Sequence, residues 1–240
     1  MNSKFQYVQQ FEQEWKLLQN TYLIIRIDGK GFSKFTKNHN FEKPNDTQGL
    51  EAMNQAAAYC MQEFDIKLAY GQSDEYSFMF EPSSNPYQRR SQKLVSLLSS
   101  AFTSKYSLSG IWKYPPVFDA RVVMYPLKTQ MQDYFRWRQV DCHINNLYNT
   151  CFWNLVKSGI PNKQASSLLT GTTASDKNEI LFSKFNINYN NEPEAFKKGT
   201  VLLYSKTLPV LNNCHLLTKN IYKYNGDLIK DSFWNTMDIE

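Results

Sequence analysis

Hydrophobic side chains recur at every second position in YLIIRIDG, residues 22–29, with Leu23, Ile25 and Ile27 on one side and Ile24, Arg26 and Asp28 on the other. A period of two predicts a strand over about 21–28 with one face against a core. The period then lengthens. Leu50, Met53, Ala57, Cys60, Met61 and Phe64 form a helical stripe, preceded by the start signals Pro44 and Asn45 or Asp46. IKLAYGQSDEYSFMF, residues 66–80, reads as two short strands around a tight Gly-Gln-Ser-Asp bend. A second helix is predicted over about 86–106, with Leu94, Leu97, Leu98, Ala101 and Phe102 inward, and VFDARVVMYP, residues 117–126, reads as a strand.

The resulting order, β-α-β-β-α-β, predicts an α+β fold of ferredoxin-like arrangement. In that topology the first and third strands are antiparallel neighbours, so Asp28, at the end of the first, meets Asp74, at the start of the third. The second half is less regular. Residues 133–159 read as a helix ending at Gly159, Pro161 opens another to about 169, and 171–199 read as loop with short helix. TVLLYSK, residues 200–206, predicts a strand, and beyond Leu208 the pattern is too weak to read. The division expected is a catalytic domain over 1–130 and a helical, mixed region over 131–240 packed on it as one compact unit.

Composition narrows the class. With 42% hydrophobic and 15% aromatic residues, the 240-residue chain is that of a folded protein. A net charge of +5 permits a nucleic-acid partner without requiring one. No apolar run approaches the ~20 residues of a membrane helix, and the first twenty residues resemble no signal peptide, so a cytoplasmic location is expected. Cys60, Cys142, Cys151 and Cys214 form no CxxC pair, which predicts reduced, buried thiols.

Candidate chemistry centres on the carboxylates. Asp28 and Asp74 would repel unless neutralised, and Glu75 adds a third negative charge. Hard oxygen donors favour magnesium, with the Gly29 carbonyl as a further ligand. Gly29, Lys30 and Gly31 offer backbone N–H groups for an oxyanion, and Lys43 precedes a helix N-terminus. Arg26 shares the strand face of Asp28, while Arg89, Arg90 and Lys93 fall within one helical turn, a cluster that suits either phosphate or a solvated helix face. Carboxylates ringed by cations make up the kit of a two-metal nucleotidyl-transfer site.

RIDGKGF…FEKPND, AYGQSDEYSFMF, DCHINNLYNTCFW and DKNEILFSKFNINYNNEPEAFKKGT together resemble the tRNA-histidine guanylyltransferase family over about residues 3–204. The resemblance implies a polymerase-type palm running 3′ to 5′, with ATP and GTP as substrates and two Mg²⁺ ions. It implies metal binding by Asp28, Gly29 and Asp74, with Glu75 supporting catalysis. Asp28 through Ser33 (with Lys30, Gly31 and Phe32), Lys43, Asp46 and Ser73–Asp74 fit the nucleotide-binding positions. Arg26, Arg90 and Lys93 match positions for a second triphosphate or the activating nucleotide.

The family's partner is tRNA, and its assembly is a homotetramer, a dimer of dimers. HINNLYNT, residues 143–150, is typical of members serving histidine tRNA, and His143, Asn146, Lys177 and Asn188 fit positions implicated in RNA handling. On spacing alone these residues also suit buried hydrogen bonds, and Lys177 a surface site. Two other roles stand beside guanosine addition: templated repair of 5′-truncated tRNAs, and a silent tRNA-binding scaffold. The retained Asp28, Asp74 and Glu75 argue against the second.

Overall fold

In the computed structural model, residues 3–110, 112–204, 214–237 and 239 are described. Strand β1 (Tyr22–Gly29) leads through a short helix α1 (Phe32–Asn38) to α2 (Thr47–Glu63), then β2 (Leu68–Gln72) and β3 (Glu75–Phe80). Helix α3 (Ser91–Ser107) and β4 (Phe118–Tyr125) complete the first half. The second half contains α4 (Lys128–Lys157), α5 (Asn162–Leu169), α6 (Ala174–Phe185), α7 (Glu194–Lys198) and β5 (Thr200–Tyr204), then β6 (Cys214–Thr218), β7 (Ile221–Tyr224) and α8 (Asp231–Trp234).

One seven-stranded sheet runs through the described residues in the order β4-β1-β3-β2-β5-β7-β6. Its first four strands have the ferredoxin-like order, and β1 lies antiparallel between β3 and β4. The α+β palm expected from the pattern is therefore the observed fold. Leu23, Ile25 and Ile27 enter an apolar cluster with α2 and α3. The opposite face is covered too: Tyr22 and Ile24 pack with Met131, Tyr134 and Phe135 of α4 and with Phe233 and Trp234 of α8. The alternation had suggested one buried face, but α4 makes a second core. Only Arg26 and Asp28, at the end of that second face, stay half-buried.

Several differences have local causes. Helix α1 replaces what reads as a simple glycine-rich bend, because Gly31, at φ +63°, starts a turn that Phe32 and Phe35 anchor in the core. Leu97, expected inward on α3, is exposed; Leu94, Leu98, Phe102 and Tyr106 fill that interface. Helix α4 begins five residues before its predicted start. Helix α6 occupies a stretch read mostly as loop, started by the reciprocal capping pair Thr173 and Asp176. The last two positions of the strand predicted over 200–206 lie outside the described residues. Beyond them β6 and β7 form a hairpin on β5, where the pattern had been unreadable. Cys60, Cys142 and Cys151 are buried free thiols, whereas Cys214 is half-buried. No helix among the described residues is long and apolar enough to cross a membrane.

Candidate active site

Register brings the carboxylates together. Asp28 pairs with Glu75 across β1 and β3, and the Gly29 N–H donates to the Asp74 carbonyl oxygen at 3.1 Å. Asp74 occupies the two-residue turn between β2 and β3, with Ser73 left-handed at φ +50°. The Ser73 hydroxyl donates to Asp74 Oδ1 at 3.1 Å. Burial, then the nearby Asp28 charge, push the Asp74 carboxyl above its ordinary pKa. Asp28, Asp74 and Glu75 all line one cavity of about 340 Å³ between the sheet and α4.

Glycine is required beside this pair by close approach. A Cβ on Gly29 would lie 2.6 Å from Phe32 Cδ2 and 2.8 Å from Asp74 Oδ2. Gly29→Ala is therefore expected to cost about 1–3 kcal/mol through overpacking. It should also lower kcat/KM at least about tenfold by displacing the Asp74 carboxylate, since each tenfold needs only ~1.4 kcal/mol. Urea denaturation and steady-state kinetics on the same preparation check both numbers.

The third carboxylate has a different occupation. Glu75 is bonded side-on by Arg138 of α4, Nε to Oε1 at 2.7 Å and Nη2 to Oε2 at 3.0 Å, and Arg26 Nε lies 3.8 Å away. Burial lowers the Arg138 pKa, but the charge and hydrogen bonds of Glu75 outweigh it, and the guanidinium is held charged. Glu75 thus anchors α4 to the sheet behind Asp28. The sequence showed no cation for Glu75, because Arg138 is 63 residues distant along the chain.

Among the described residues, no group of three or more His, Cys, Asp or Glu side chains is placed to hold a metal by itself. The donors at hand are two carboxylates and a backbone carbonyl. That set fits magnesium, which keeps several waters and shares its remaining positions with substrate phosphates. The geometry fits as well: Asp28 and Asp74 line one cavity, and neither forms a salt bridge with a cation among the described residues.

A second, larger cleft of about 1130 Å³ opens on the other side of Ser73 and Asp74. Phe32, Ser33 and Lys43 line it. Lys43 Nζ donates to Thr36 Oγ1 at 2.8 Å, and burial lowers its pKa against the pull of Asp46 and Asp74. Asp46 caps α2: its Oδ1 accepts from the Gly49 N–H at 2.7 Å and its Oδ2 from the Glu42 N–H at 2.9 Å. Lys30 has an exposed side chain, and its N–H donates to the Val117 carbonyl.

Two family models cover nearly all of the chain: tRNAHis guanylyltransferase over residues 5–126 and Thg1 C terminal domain over 129–225. The chain belongs to the tRNA(His) guanylyltransferase family. The match continues past residue 204, where the recognisable sequence segments end, so β6 and β7 are part of the family's second domain. The tRNA(His) guanylyltransferase of Schizosaccharomyces pombe is 54% identical over 256 residues, covering 98% of this chain and 95% of its own. That of Debaryomyces hansenii is 47% identical, covering 97% of this chain and 96% of its own. A crystal structure of tRNA(His) guanylyltransferase from Saccharomyces cerevisiae matches with a TM-score of 0.77 at 46% identity, covering 82% of this chain and 92% of that one. A bacterial tRNA(His) guanylyltransferase-like protein in complex with ATP matches at 0.69 and 28% identity, covering 80% of this chain and 83% of that one.

In this family member the remaining predicted residues divide. Asn146 is buried, donating to the Tyr189 hydroxyl and accepting from Asn45, each at 2.9 Å. His143 is exposed with its ring 5.5 Å from Tyr189, and Asn188 caps the turn that carries Tyr189. Tyr189 therefore gathers three of the four RNA candidates. Lys177 is tied to the Thr172 carbonyl at 2.7 Å, across the turn preceding α6.

Arg89, Arg90 and Lys93 are not brought to the carboxylates of their own chain. They lie beside the start of β1 and the end of β3, one strand length from Asp28 and Asp74. Arg90 pairs with Glu14 at 2.9 Å, and Lys93 lies over Tyr87. Arg89 is fully buried rather than part of a solvated cluster. The residues that spacing missed are Arg138, Asp141, Asn145 and Asn149 of α4, which line the carboxylate cavity from above. Only the asparagine spacing in HINNLYNT hinted that this helix faces the site.

Proposed function

We propose that the chain adds guanosine to the 5′ end of histidine tRNA, with ATP and GTP as substrates and magnesium as the metal. The tRNA 5′-phosphate oxygen attacks the ATP α-phosphorus, a P–O bond forms and pyrophosphate leaves. The GTP 3′-hydroxyl then attacks the activated 5′-phosphorus, a new phosphodiester forms and AMP leaves. Hydrolytic removal of pyrophosphate from the new end completes the cycle. The observation that supports this reading is the pair Asp28 and Asp74, drawn to one cavity by strand register.

Asp28, Asp74 and the Gly29 carbonyl would hold two Mg²⁺ ions, which when bound lower the pKa of the attacking hydroxyl and screen the leaving pyrophosphate. The chain's own groups do the orienting. The Ser73 hydroxyl fixes one Asp74 oxygen, and Gly29 leaves room for the other. Lys43, with the N–H groups from Gly31 to Ser33, offers a phosphate cradle at the same edge. Glu75, locked by Arg138, positions the strand ends and α4. Asp46 shapes the α2 end of the nucleotide pocket through its cap. Arg26, Arg90 and Lys93 keep their assignment to a second triphosphate from the family resemblance, and His143, Asn146, Lys177 and Asn188 theirs to RNA. The reading includes a catalytic unit over 1–130 completed by 131–240, a homotetramer and a cytoplasmic location.

The test is incubation with labelled GTP, ATP and magnesium on intact 5′-monophosphorylated histidine tRNA and on 5′-shortened tRNAs. Addition to the intact substrate is expected. A strong preference for shortened tRNAs would assign repair instead, and no magnesium-dependent extension of any of them would refute the reading.

A further inference from the structure

The large cleft has a wall that neither the carboxylates nor the phosphate cradle uses. Tyr148, Phe152 and Trp153 of α4 line it, opposite Phe32, Lys37 and Lys43 of the palm, with Ser73 and Asp74 also lining it. Tyr148 and Phe152 also pack on the apolar cluster formed by α4, α5 and α6. Trp153 is a member of no apolar cluster among the described residues, although its side chain is half-buried in the cleft. Its ring meets Phe152 edge-on at 5.3 Å, and an indole that lines an open cleft offers a flat face on which a nucleobase can stack.

Its position relative to phosphate chemistry is fixed. Lys43 Nζ lies 6.0 Å from the Trp153 ring centroid, and the same lysine feels the Asp74 charge. The segment carrying Lys43 is clamped to α4 at two points: Lys157 Nζ donates to the Lys43 carbonyl at 2.7 Å, and Asn45 Nδ2 to Asn146 Oδ1 at 2.9 Å. Lys163 adds a further cation on the α5 side. A phosphate bound at Lys43 would lie close enough to the indole for an attached nucleobase to reach the ring. The cleft, at about 1130 Å³, is larger than the roughly 300–1,000 Å³ that a single small ligand occupies, so it has room for RNA next to a nucleotide.

We propose that the 5′-terminal base of the RNA stacks on Trp153, which holds the RNA end in the cleft that Asp74 lines. The inference rests on the nucleotidyl-transfer reading above. Aromatic stacking accepts any base, which suits an end-recognition surface, and the surrounding lysines match the charge of the backbone. The free nucleotide's base is the competing occupant, and the experiment separates the two.

Trp153→Leu and Trp153→Phe are compared with the parent chain on a 5′-phosphorylated tRNA and on the same RNA with an abasic first nucleotide. For Trp153→Leu the expected result is about a tenfold rise in KM for intact RNA, with kcat and both nucleotide KM values within twofold and the phenylalanine variant largely restored. The parent should lose about tenfold on abasic RNA, and the leucine variant should scarcely distinguish the two RNAs. An unchanged RNA KM, a rise in nucleotide KM instead, or equal abasic penalties in parent and variant would overturn the proposal. A direct arm needs no turnover: 2-aminopurine at the first RNA position should be quenched on binding the parent and not Trp153→Leu. Quenching without extension would refute the proposed reaction and keep the stacking site; extension without Trp153-dependent quenching would do the reverse.

Discussion

Asp28→Asn and Asp74→Asn should each abolish guanosine addition, by at least about 10³-fold, while leaving the fold as stable as before or more so. The activity loss follows from removing a charged oxygen donor from a pair that is the chain's main contribution to cation binding; three decades correspond to about 4 kcal/mol of transition-state stabilisation. The stability sign follows from Asp74. Its carboxyl is pushed up by burial and by Asp28, so ionising it opposes folding. Without a cation, the parent carries this penalty wherever Asp74 is ionised and is relieved of it below the unfolded value of about 3.9. Asn at either position removes the repulsion throughout. The apo melting temperature of both variants is therefore expected to equal or exceed that of the parent at pH 7 and to converge with it in acid. Magnesium at about 100 times its Kd should stabilise the parent by about 2.7 kcal/mol and the variants scarcely at all. Calorimetry with and without magnesium reads both effects. A parent whose melting point ignores magnesium, or a variant with near-normal turnover, would remove the metal assignment.

Arg89→Met is expected to act on folding and not on nucleotide binding. Arg89 is 0% exposed and donates to the carbonyl oxygens of Leu18, Thr21, Glu81, Pro82 and Ser84, so one guanidinium ties the start of β1 to the loop leaving β3. It also stands in a run of three left-handed residues, Tyr87, Gln88 and Arg89, at φ of 51°, 58° and 57°. Such conformations cost roughly 1–2 kcal/mol each, and the hydrogen bonds of Arg89 offset that cost. Losing them should destabilise the protein by about 3 kcal/mol or more. For a chain of this size that is a fall in melting temperature of about 6–12 °C. Arg90→Ala, whose partner Glu14 is exposed, should cost less than about 1 kcal/mol. Nucleotide KM values for folded Arg89→Met should match the parent; a selective rise would return Arg89 to the phosphate-binding group.

Legibility differed by element for physical reasons. Leu23, Ile25 and Ile27 announce β1 because a two-residue period leaves few other conformations that bury them together. Helix α1 was hidden because the glycines before it read as a turn, and Gly31 uses its left-handed freedom to start a helix instead. Arg89 and Arg90 are adjacent and chemically identical, yet one is a fully buried tie and the other a surface ion pair. Local sequence carries no record of which carbonyls will surround an arginine. The same holds for Glu75, whose compensating cation sits on α4.

From sequence alone came the strand order, the meeting of Asp28 with Asp74 and the family, because alternation and long-range motif order survive without coordinates. Tertiary structure decided what those residues touch. It turned Glu75 from a third bare carboxylate into an anchor for Arg138, separated Arg90 and Lys93 from the acidic edge, and stood Trp153 across the cleft from Lys43. The reason is the packing of α4: a helix of thirty residues laid over the second face of the sheet sets contacts between groups 63 to 114 positions apart, and no local pattern encodes that docking.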